Sequence, residues 1–354
     1  MKAVILAGGF GTRLRPLTNS IPKPIVYVAN RPFLVHQIEL LVKHGIKEII
    51  LVLHYMPHEI KKVIGDGREW GIKIHYVIEE TPLGTAGAIK NAEKYFDDEP
   101  LVILNGDIVT DLNLTKMISF HHEKKALVTL ALTEVDDPTS YGLILTDSNN
   151  KVERFIEKPS WNMVVAKTIN AGTYIVDPKI FKDVPFGVEH SFERQLFPKL
   201  LENGQPMFGY VSNAYWIDIG NPMKYKEVHE AILRNEVSIR IFGTRIDGKF
   251  WIGKNTMPDP TVRFTGASLI GEKVKIGKET EIKDYVVVGD CTHIGQKCVL
   301  DRCIIWKDCK IGNHVKLTNC IIGANCVIED NVVVERGMVL AEGSILRRET
   351  KFNA

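Results

Sequence analysis

Residues 2–24 read Lys2-Ala-Val-Ile-Leu-Ala-Gly8-Gly9-Phe-Gly11-Thr12-Arg13-Leu-Arg15-Pro-Leu-Thr-Asn-Ser-Ile-Pro22-Lys23-Pro24, an apolar run passing directly into a glycine-rich, cationic loop. Val4 to Ala7 have the length and apolar character of a buried strand. Gly8, Gly9 and Gly11 remove the side chains that would keep a guest from the backbone N–H groups. Arg13, Arg15 and Lys23 add three positive charges within eleven residues. Backbone donors backed by guanidinium and ammonium groups suit an anion. A Walker A loop is excluded, since no Lys-Ser or Lys-Thr closes the glycine run. The dinucleotide-binding Gly-x-Gly-x-x-Gly is excluded too: Leu14 stands at its third glycine and Pro16 interrupts the helix it needs.

Outward from this loop, strands and helices alternate up to about residue 235. Apolar runs at Glu48–Leu53, Lys73–Ile78, Leu101–Leu104 and Leu127–Leu132 predict strands, and the intervening patterns predict helices over Phe33–Lys43, His58–Val63, Thr85–Tyr95 and Leu114–Glu123. Gly45 is placed as a helix C-terminal glycine. The alternation argues for an α/β domain with a mixed, mostly parallel sheet, whose ligands lie at the carboxyl ends of strands.

From residue 252 the period changes. Apolar residues recur every six positions from Ile252 through Pro258, Phe264, Ile270, Ile276, Ile282, Val288 and Ile294 to Leu300. One step of five leads to Ile305, Ile311 and Leu317, and a second to Ile322, Ile328, Val334 and Leu340. Glycine follows the apolar residue at 253, 271, 277, 289, 295, 312 and 323. This is the pattern of a hexapeptide-repeat, left-handed parallel β-helix of about five coils. The expected organisation is a catalytic domain over 1–235, a linker over 236–251 and the β-helix over 252–354.

All six cysteines fall in the last quarter of the chain, without a Cys-x-x-Cys pair. Cys298, Cys309 and Cys326 each stand four residues after a repeat apolar, and Cys303 and Cys320 two before one. Thr256, Val274, Thr280, Thr292, Val315 and Ser344 hold the equivalent slot, all small, so the thiols are expected to fill the inner corner of the prism. A formal charge of +2 on 354 residues, without a basic tract, argues against nucleic acid or an anionic membrane as partner. No apolar window reaches transmembrane length, and reduced thiols suit a cytoplasmic protein.

The loop, with its Arg-Leu-Arg-Pro-Leu-Thr and Pro-Lys-Pro elements, resembles the signature of the sugar nucleotidyltransferases, most of all its mannose-1-phosphate guanylyltransferase branch. Six further stretches match that family. Glu79-Glu80-Thr81-Pro82-Leu83-Gly84-Thr85-Ala86-Gly87 leads from a strand into a helix and, by resemblance, surrounds the nucleotide base. Leu104-Asn105-Gly106-Asp107 ends an apolar strand in a carboxylate, and Tyr215-Trp216-Ile217-Asp218 places a second one between apolar neighbours. Tyr141-Gly142 follows Pro138, Phe155-Ile156-Glu157-Lys158-Pro159 ends a strand, and Asn170-Ala171-Gly172-Thr173 matches a sugar-contacting segment.

The resemblance implies nucleotide contacts from Leu6, Ala7, Gly8, Gly9, Gly11, Thr12, Arg13, Gly84 and Thr85, and sugar-phosphate contacts from Gly142, Glu157, Lys158 and Asn170. It implies that Asp107 and Asp218 converge on Mg²⁺, which takes hard oxygen ligands and substrate phosphates. Catalysis would rest on Arg13, Lys23, Asp107, Lys158 and Asp218. A sugar 1-phosphate is already largely dianionic near neutral pH, so its attack on the α-phosphorus of a nucleoside triphosphate needs no general base.

Three other readings stand beside this one. A uridylyl- or thymidylyltransferase acting on glucose 1-phosphate would differ only in a few contacts around residues 6–9 and 79–87. A β-helix acyltransferase would need His293 or His314 as base, yet no loop or extension builds an acyl-CoA site. A non-catalytic homologue would be expected to lose the cationic loop or the aspartates, all of which are present. Stacked coils expose a flat side, so a homo-oligomer assembled through the β-helix is expected.

Overall fold

The opening apolar run forms β1 (Lys2–Leu6), which pairs in parallel with β4 (Glu48–Leu53) on one side and β6 (Leu101–Asn105) on the other. Strands covered on both edges and both faces read as continuous aliphatic runs, and Ala3, Val4 and Ile5 are fully buried. In this computed structural model the described residues are 1–335, 337–348 and the backbone of 351–352; the other positions of the expected β-helix stretch lie outside them. Contacts divide the chain into two units, one of residues 1–9 and 37–218, the other of 10–36 and 219–354.

The first unit carries a nine-stranded sheet. Its parallel half is β6-β1-β4 with β5 (Lys73–Ile78) at the edge. The other half is built around β11 (Thr168–Val176), which runs antiparallel to β6, to β8 (Val128–Glu134) and to β9 (Gly142–Thr146). Alternation along the sequence does not report this reversal, because β8–β11 are joined without helices long enough to make parallel crossovers. β10 (Val152–Glu157) pairs with β9, and β12 (Met207–Val211) with β8. β7 (Ile108–Thr110) and β13 (Trp216–Asp218) form a separate antiparallel pair.

Of the helices, α1 (Phe33–Lys43) and α4 (Leu114–Glu123) take the expected ranges, and α2 extends over Pro57–Ile64. Gly45 has φ +83°, and the Ile46 N–H reaches back to the Leu41 carbonyl at 3.1 Å, closing α1 with a left-handed C′ residue. The helix expected over Thr85–Tyr95 is instead α3 (Ala86–Lys90) followed by a 3₁₀ turn at Glu93–Tyr95. At Ala92 the N–H bonds to Ile89 O three residues back, so the α spacing is lost there.

In the second unit the repeat forms three parallel sheets, strands of successive coils stacking in register. Ile270 pairs with Val288, Val288 with Ile305, Ile305 with Ile322 and Ile322 with Leu340. The two five-residue steps are therefore coils shortened by one residue that keep the apolar column aligned. Thr244–Ile246, within the stretch expected as linker, pairs antiparallel with Phe250–Ile252 and caps one sheet. Cys298, Cys303, Cys309, Cys320 and Cys326 are fully buried in the prism core, whereas Cys291 is exposed. This unit also holds a small hairpin, β2 (Tyr27–Val28) and β3 (Arg31–Pro32), and α6 (Pro222–Leu233), the latter capped by the Asn221 side chain on Lys224 N at 3.0 Å. Ala29 and Asn30, between β2 and β3, both have positive φ, as a two-residue type I′ turn requires.

Candidate active site

In the first unit the ends of β1, β6, β10, β11 and β13 bring most of the expected residues together. Ala7, just past β1, donates its N–H to Val52 O at 2.9 Å. Gly106 N donates to Leu6 O at 2.8 Å, and a Cβ at Gly106 would lie 2.3 Å from that oxygen. Only glycine lets the Asn105-Gly106-Asp107 turn close on the end of β1. Asn105 also lies against Gly172, whose Cβ would meet its amide at 2.7 Å, and the Gln37 amide ties down Asn105 O and Ile108 O at 2.8 and 3.1 Å.

The two aspartates are neighbours through strand pairing. Asp218 on β13 stands opposite Ile108 on β7, the residue that follows Asp107. Asp218 is buried, and its Oδ1 accepts the Tyr141 hydroxyl at 2.9 Å. The Tyr141 ring packs edge-on against Trp216 at 5.3 Å, and the Trp216 indole N–H donates to Ala171 O at 2.8 Å. Among the described residues no group of three or more His, Cys, Asp or Glu is arranged to hold a metal. Two aspartates at adjacent backbone positions offer hard oxygen donors of the kind that suits Mg²⁺, which keeps positions for water and phosphate.

Lys158 follows β10 with φ +49°, a left-handed conformation that is strained for a non-glycine residue, and donates its backbone N–H to Tyr141 O at 2.9 Å. Glu157 pairs with Gly142 across β10 and β9. Burial and the nearby Glu193 charge raise the Glu157 pKa against the pull of Lys158 and Arg194. Asn170 donates its amide to the Tyr174 hydroxyl at 2.9 Å and accepts Gly172 N–H at 3.0 Å, which fixes its side chain.

The 83–87 loop is pinned to residues 188–193 of the same unit. Gly87 N donates to His190 O and His190 N to Leu83 O, each at 2.9 Å, and Gly84, at φ +74°, has no room for a side chain because a Cβ would meet His190 O at 2.8 Å. The Thr85 hydroxyl accepts Phe192 N–H at 2.8 Å and donates to Glu193 Oε2 at 3.0 Å. The hydroxyl thus donates once and accepts once within the protein. Glu193 also accepts the Ser191 hydroxyl at 2.7 Å and the Tyr174 hydroxyl at 3.4 Å, joining the 83–87 loop to the Asn170 strand. No spacing in Ser191-Phe192-Glu193 signals this; it follows from the π-helical turn Phe192–Leu196 that presents it.

Glu79 is a second residue whose importance emerges only in the fold. Its carboxylate is buried, with Oε1 accepting Leu83 N–H at 3.0 Å and Oε2 lying 3.2 Å from where a Gly8 Cβ would stand. Desolvation raises its pKa, opposed by the Leu83 N–H and by His54. A carboxylate behind the glycine loop was available to the sequence only as one of two adjacent glutamates.

The second unit holds the cationic part of the loop. Gly11 has φ +65°, and a Cβ there would meet Lys23 Cβ at 2.9 Å, so glycine is needed for both conformation and contact. Thr12–Leu14 form a 3₁₀ turn with Arg13 exposed, and Arg15 is exposed after it. Lys23 is buried at the start of the 3₁₀ turn Lys23–Ile25, while Thr18 donates its hydroxyl to Gly11 O at 2.8 Å.

Residues 2–235 match the nucleotidyl transferase family, and residues 247–352 match the left-handed β-helix domain of the EIF2B epsilon subunit. A mannose-1-phosphate guanylyltransferase of Mycobacterium tuberculosis is 35% identical over 302 residues, covering 85% of this chain and 83% of that one. A UTP–glucose-1-phosphate uridylyltransferase of Synechocystis is 32% identical over 322 residues, covering 87% and 83%. The crystal structure of HddC from Yersinia pseudotuberculosis complexed with GMP-PN superposes with a TM-score of 0.57 at 36% identity, over 65% of this chain and 99% of that one. By fold, by its ordered strand-end motifs and by these likenesses, the chain belongs to the nucleotidyl transferase family.

Proposed function

We propose that this chain transfers GMP from GTP to mannose 1-phosphate, giving GDP-mannose and pyrophosphate in a Mg²⁺-dependent reaction in the cytoplasm. The observation that carries the choice of base is the buried Glu79 carboxylate behind Gly8. An ionised carboxylate is acceptor-only. Guanine offers it two adjacent N–H donors on one edge, whereas uracil and thymine present one N–H flanked by two repelling carbonyls. The name of the Mycobacterium relative points the same way. The Synechocystis relative favours a second reading, uridylyl transfer to glucose 1-phosphate.

In the proposed reaction a phosphate oxygen of the sugar 1-phosphate forms the new bond to the α-phosphorus. The bond from that phosphorus to its bridging oxygen breaks, and its electron pair leaves with pyrophosphate. The protein's task is alignment and neutralisation of two polyanions. Backbone N–H groups of Gly8, Gly9, Gly11 and Thr12 receive the phosphates, with Arg13 on the departing pair. Lys23 and Lys158 neutralise the α-phosphate and the sugar phosphate. Leu6, Ala7, Gly84 and Thr85 frame the nucleoside, and Gly142, Glu157 and Asn170 the sugar. Asp107 and Asp218 would hold Mg²⁺, which when bound supplies further neutralisation of phosphate charge. Assembly as a homo-oligomer through the β-helix belongs to the same proposal; a monomer by light scattering at micromolar concentration would remove that part.

The test is pyrophosphate release from four nucleoside triphosphates crossed with mannose, glucose, galactose and N-acetylglucosamine 1-phosphates, with and without Mg²⁺. GTP with mannose 1-phosphate is expected to exceed every other pair. No release in any well sinks the proposal, and release with UTP or dTTP far above GTP moves it to the second reading. Glu79→Gln is expected to lower the ratio of kcat/KM for GTP to that for UTP by about 10-fold or more, about 1.4 kcal/mol of discrimination.

A further inference from the structure

The loop segment that carries Arg13 and Lys23 shares a unit with the β-helix, and its anchorage there is specific. The 3₁₀ turn Lys23–Ile25 runs straight into β2, with Val26 N donating to Lys23 O at 3.2 Å and Phe33 N to Val26 O at 2.8 Å. Several polar groups of the hairpin that follows have partners in the same unit. The carbonyl of Tyr27 accepts the Tyr225 hydroxyl, and that hydroxyl in turn accepts the indole N–H of Trp306 at 2.9 Å. Ala29 N–H donates to His229 Nε2 at 3.3 Å, His229 Nδ1 bonds Tyr225 O at 2.8 Å, and Asn30 Nδ2 donates to Val288 O at 2.8 Å. Tyr225 and His229 lie four residues apart on α6, hence on one helical face, and both are buried.

Trp306 and Val288 belong to neighbouring coils of the same β-helix face, since Val288 pairs with Ile305. The Tyr27 ring stands edge-on to Trp306 at 5.3 Å, with an interplanar angle of 76°. A continuous set of contacts therefore runs from the coil at Trp306 through Tyr225 to Tyr27, and along the turn to Lys23, against which Gly11 is packed. Nothing in the fold of a β-helix requires a buried tryptophan at this corner: the repeat apolar before it, Ile305, already fills the core.

We infer that the β-helix is a working part of triphosphate binding, with Trp306, Tyr225 and Asn30 acting as positioning residues that hold the Lys23 turn. The inference rests on the reading of Lys23 as a phosphate ligand. Its consequence is selective: loosening this anchor should weaken the triphosphate and leave the sugar 1-phosphate alone.

Two variants test it. Trp306→Phe keeps an aromatic ring near Tyr27 and removes the indole N–H together with one ring of packing volume. Asn30→Gly keeps the left-handed turn and removes only the bond to Val288. Each is expected to raise the KM for GTP about 5-fold, the worth of one buried hydrogen bond, with the KM for mannose 1-phosphate within about twofold of wild type. Calorimetric binding of inorganic pyrophosphate should weaken by a similar factor. Melting temperatures and circular dichroism establish that each variant is folded; if Trp306→Phe is not, Asn30→Gly decides. Unchanged KM for GTP, or both KM values raised together, overturns the inference. A wild-type enzyme that turns over no substrate pair counts against the proposed reaction, and the anchoring is then judged on pyrophosphate binding alone.

Discussion

The same backbone state means different things in the two units. In the β-helix, non-glycine residues with positive φ recur at the corners: Lys273, Glu279, Tyr285, Cys291, Lys297, Arg302, Asp308, His314, Asn319, Asn325 and Asn331. They follow the repeat, five-residue steps included, and each is supported by the coil before it, as Cys291 N on Glu272 O at 2.8 Å and Asp308 N on Asp290 O at 2.9 Å. A left-handed residue costs about 1 kcal/mol or more, and stacking offsets that cost at every level. In the α/β unit Lys158 is left-handed at +49° with no periodic support, at the end of the strand that presents Glu157. Met56, Lys125 and Asn150 share that state in the same unit, also without a repeat. Strain that repeats describes architecture; the strain at Lys158 lies where the proposed sugar-phosphate contacts converge.

The largest effect should come from the chemistry itself. Asp218→Asn keeps the shape and the Tyr141 hydrogen bond while removing a charge, and turnover is expected to fall by about 10²- to 10³-fold or more with an unchanged melting temperature. Near-wild-type turnover would place the metal elsewhere. The next measurement sets one glycine against another. Gly106→Ala would drive a methyl into Leu6 O and is expected to cost about 10²-fold in turnover through displacement of Asp107. Gly277→Ala, whose Cβ would meet the next coil at 2.6 Å, is expected to cost about 1–3 kcal/mol of stability and leave both KM values alone. Equal effects of the two on activity would erase the distinction between the units.

Much of this contrast was legible in the sequence, because repetition is easy to read. Six-residue spacing located the coil corners, the shortened steps and the inner thiols. The glycine loop located the end of β1. What stayed hidden depends on long-range pairing: the antiparallel half of the sheet around β11, the Glu193 contacts between Thr85 and Tyr174, and the attachment of Tyr27 to Trp306, 279 positions away. Thr85 shows the limit most clearly. Its place before a helix suggested a side-chain cap, yet its hydroxyl bonds Phe192 and Glu193, more than 100 positions away, instead.

A last expected effect, read in the slope of stability against pH rather than in activity, is one that both units share. His121 in the first, and His36 and His229 in the second, are buried, and desolvation lowers each pKa from 6.5 to about 4. Between pH 6.5 and 4 the unfolded chain binds protons that the folded chain refuses. Stability should therefore be level above pH 6.5 and fall as the pH drops, by about 1.4 kcal/mol per pH unit for each histidine at most. His121→Gln and His229→Gln should each flatten the dependence of melting temperature on pH between 6.5 and 4.5. A slope unchanged in both would show that carboxylates, not these imidazoles, govern acid unfolding.

The thiols inside the prism turn the intact chain, as seen by an alkylating reagent, into a protein with a single cysteine. Cys291 alone is exposed, while Cys303 neighbours Cys320 and Cys309 neighbours Cys326, all four fully buried. Each further thiol that reacts records a coil coming open, so the repeat carries its own internal gauge of fraying.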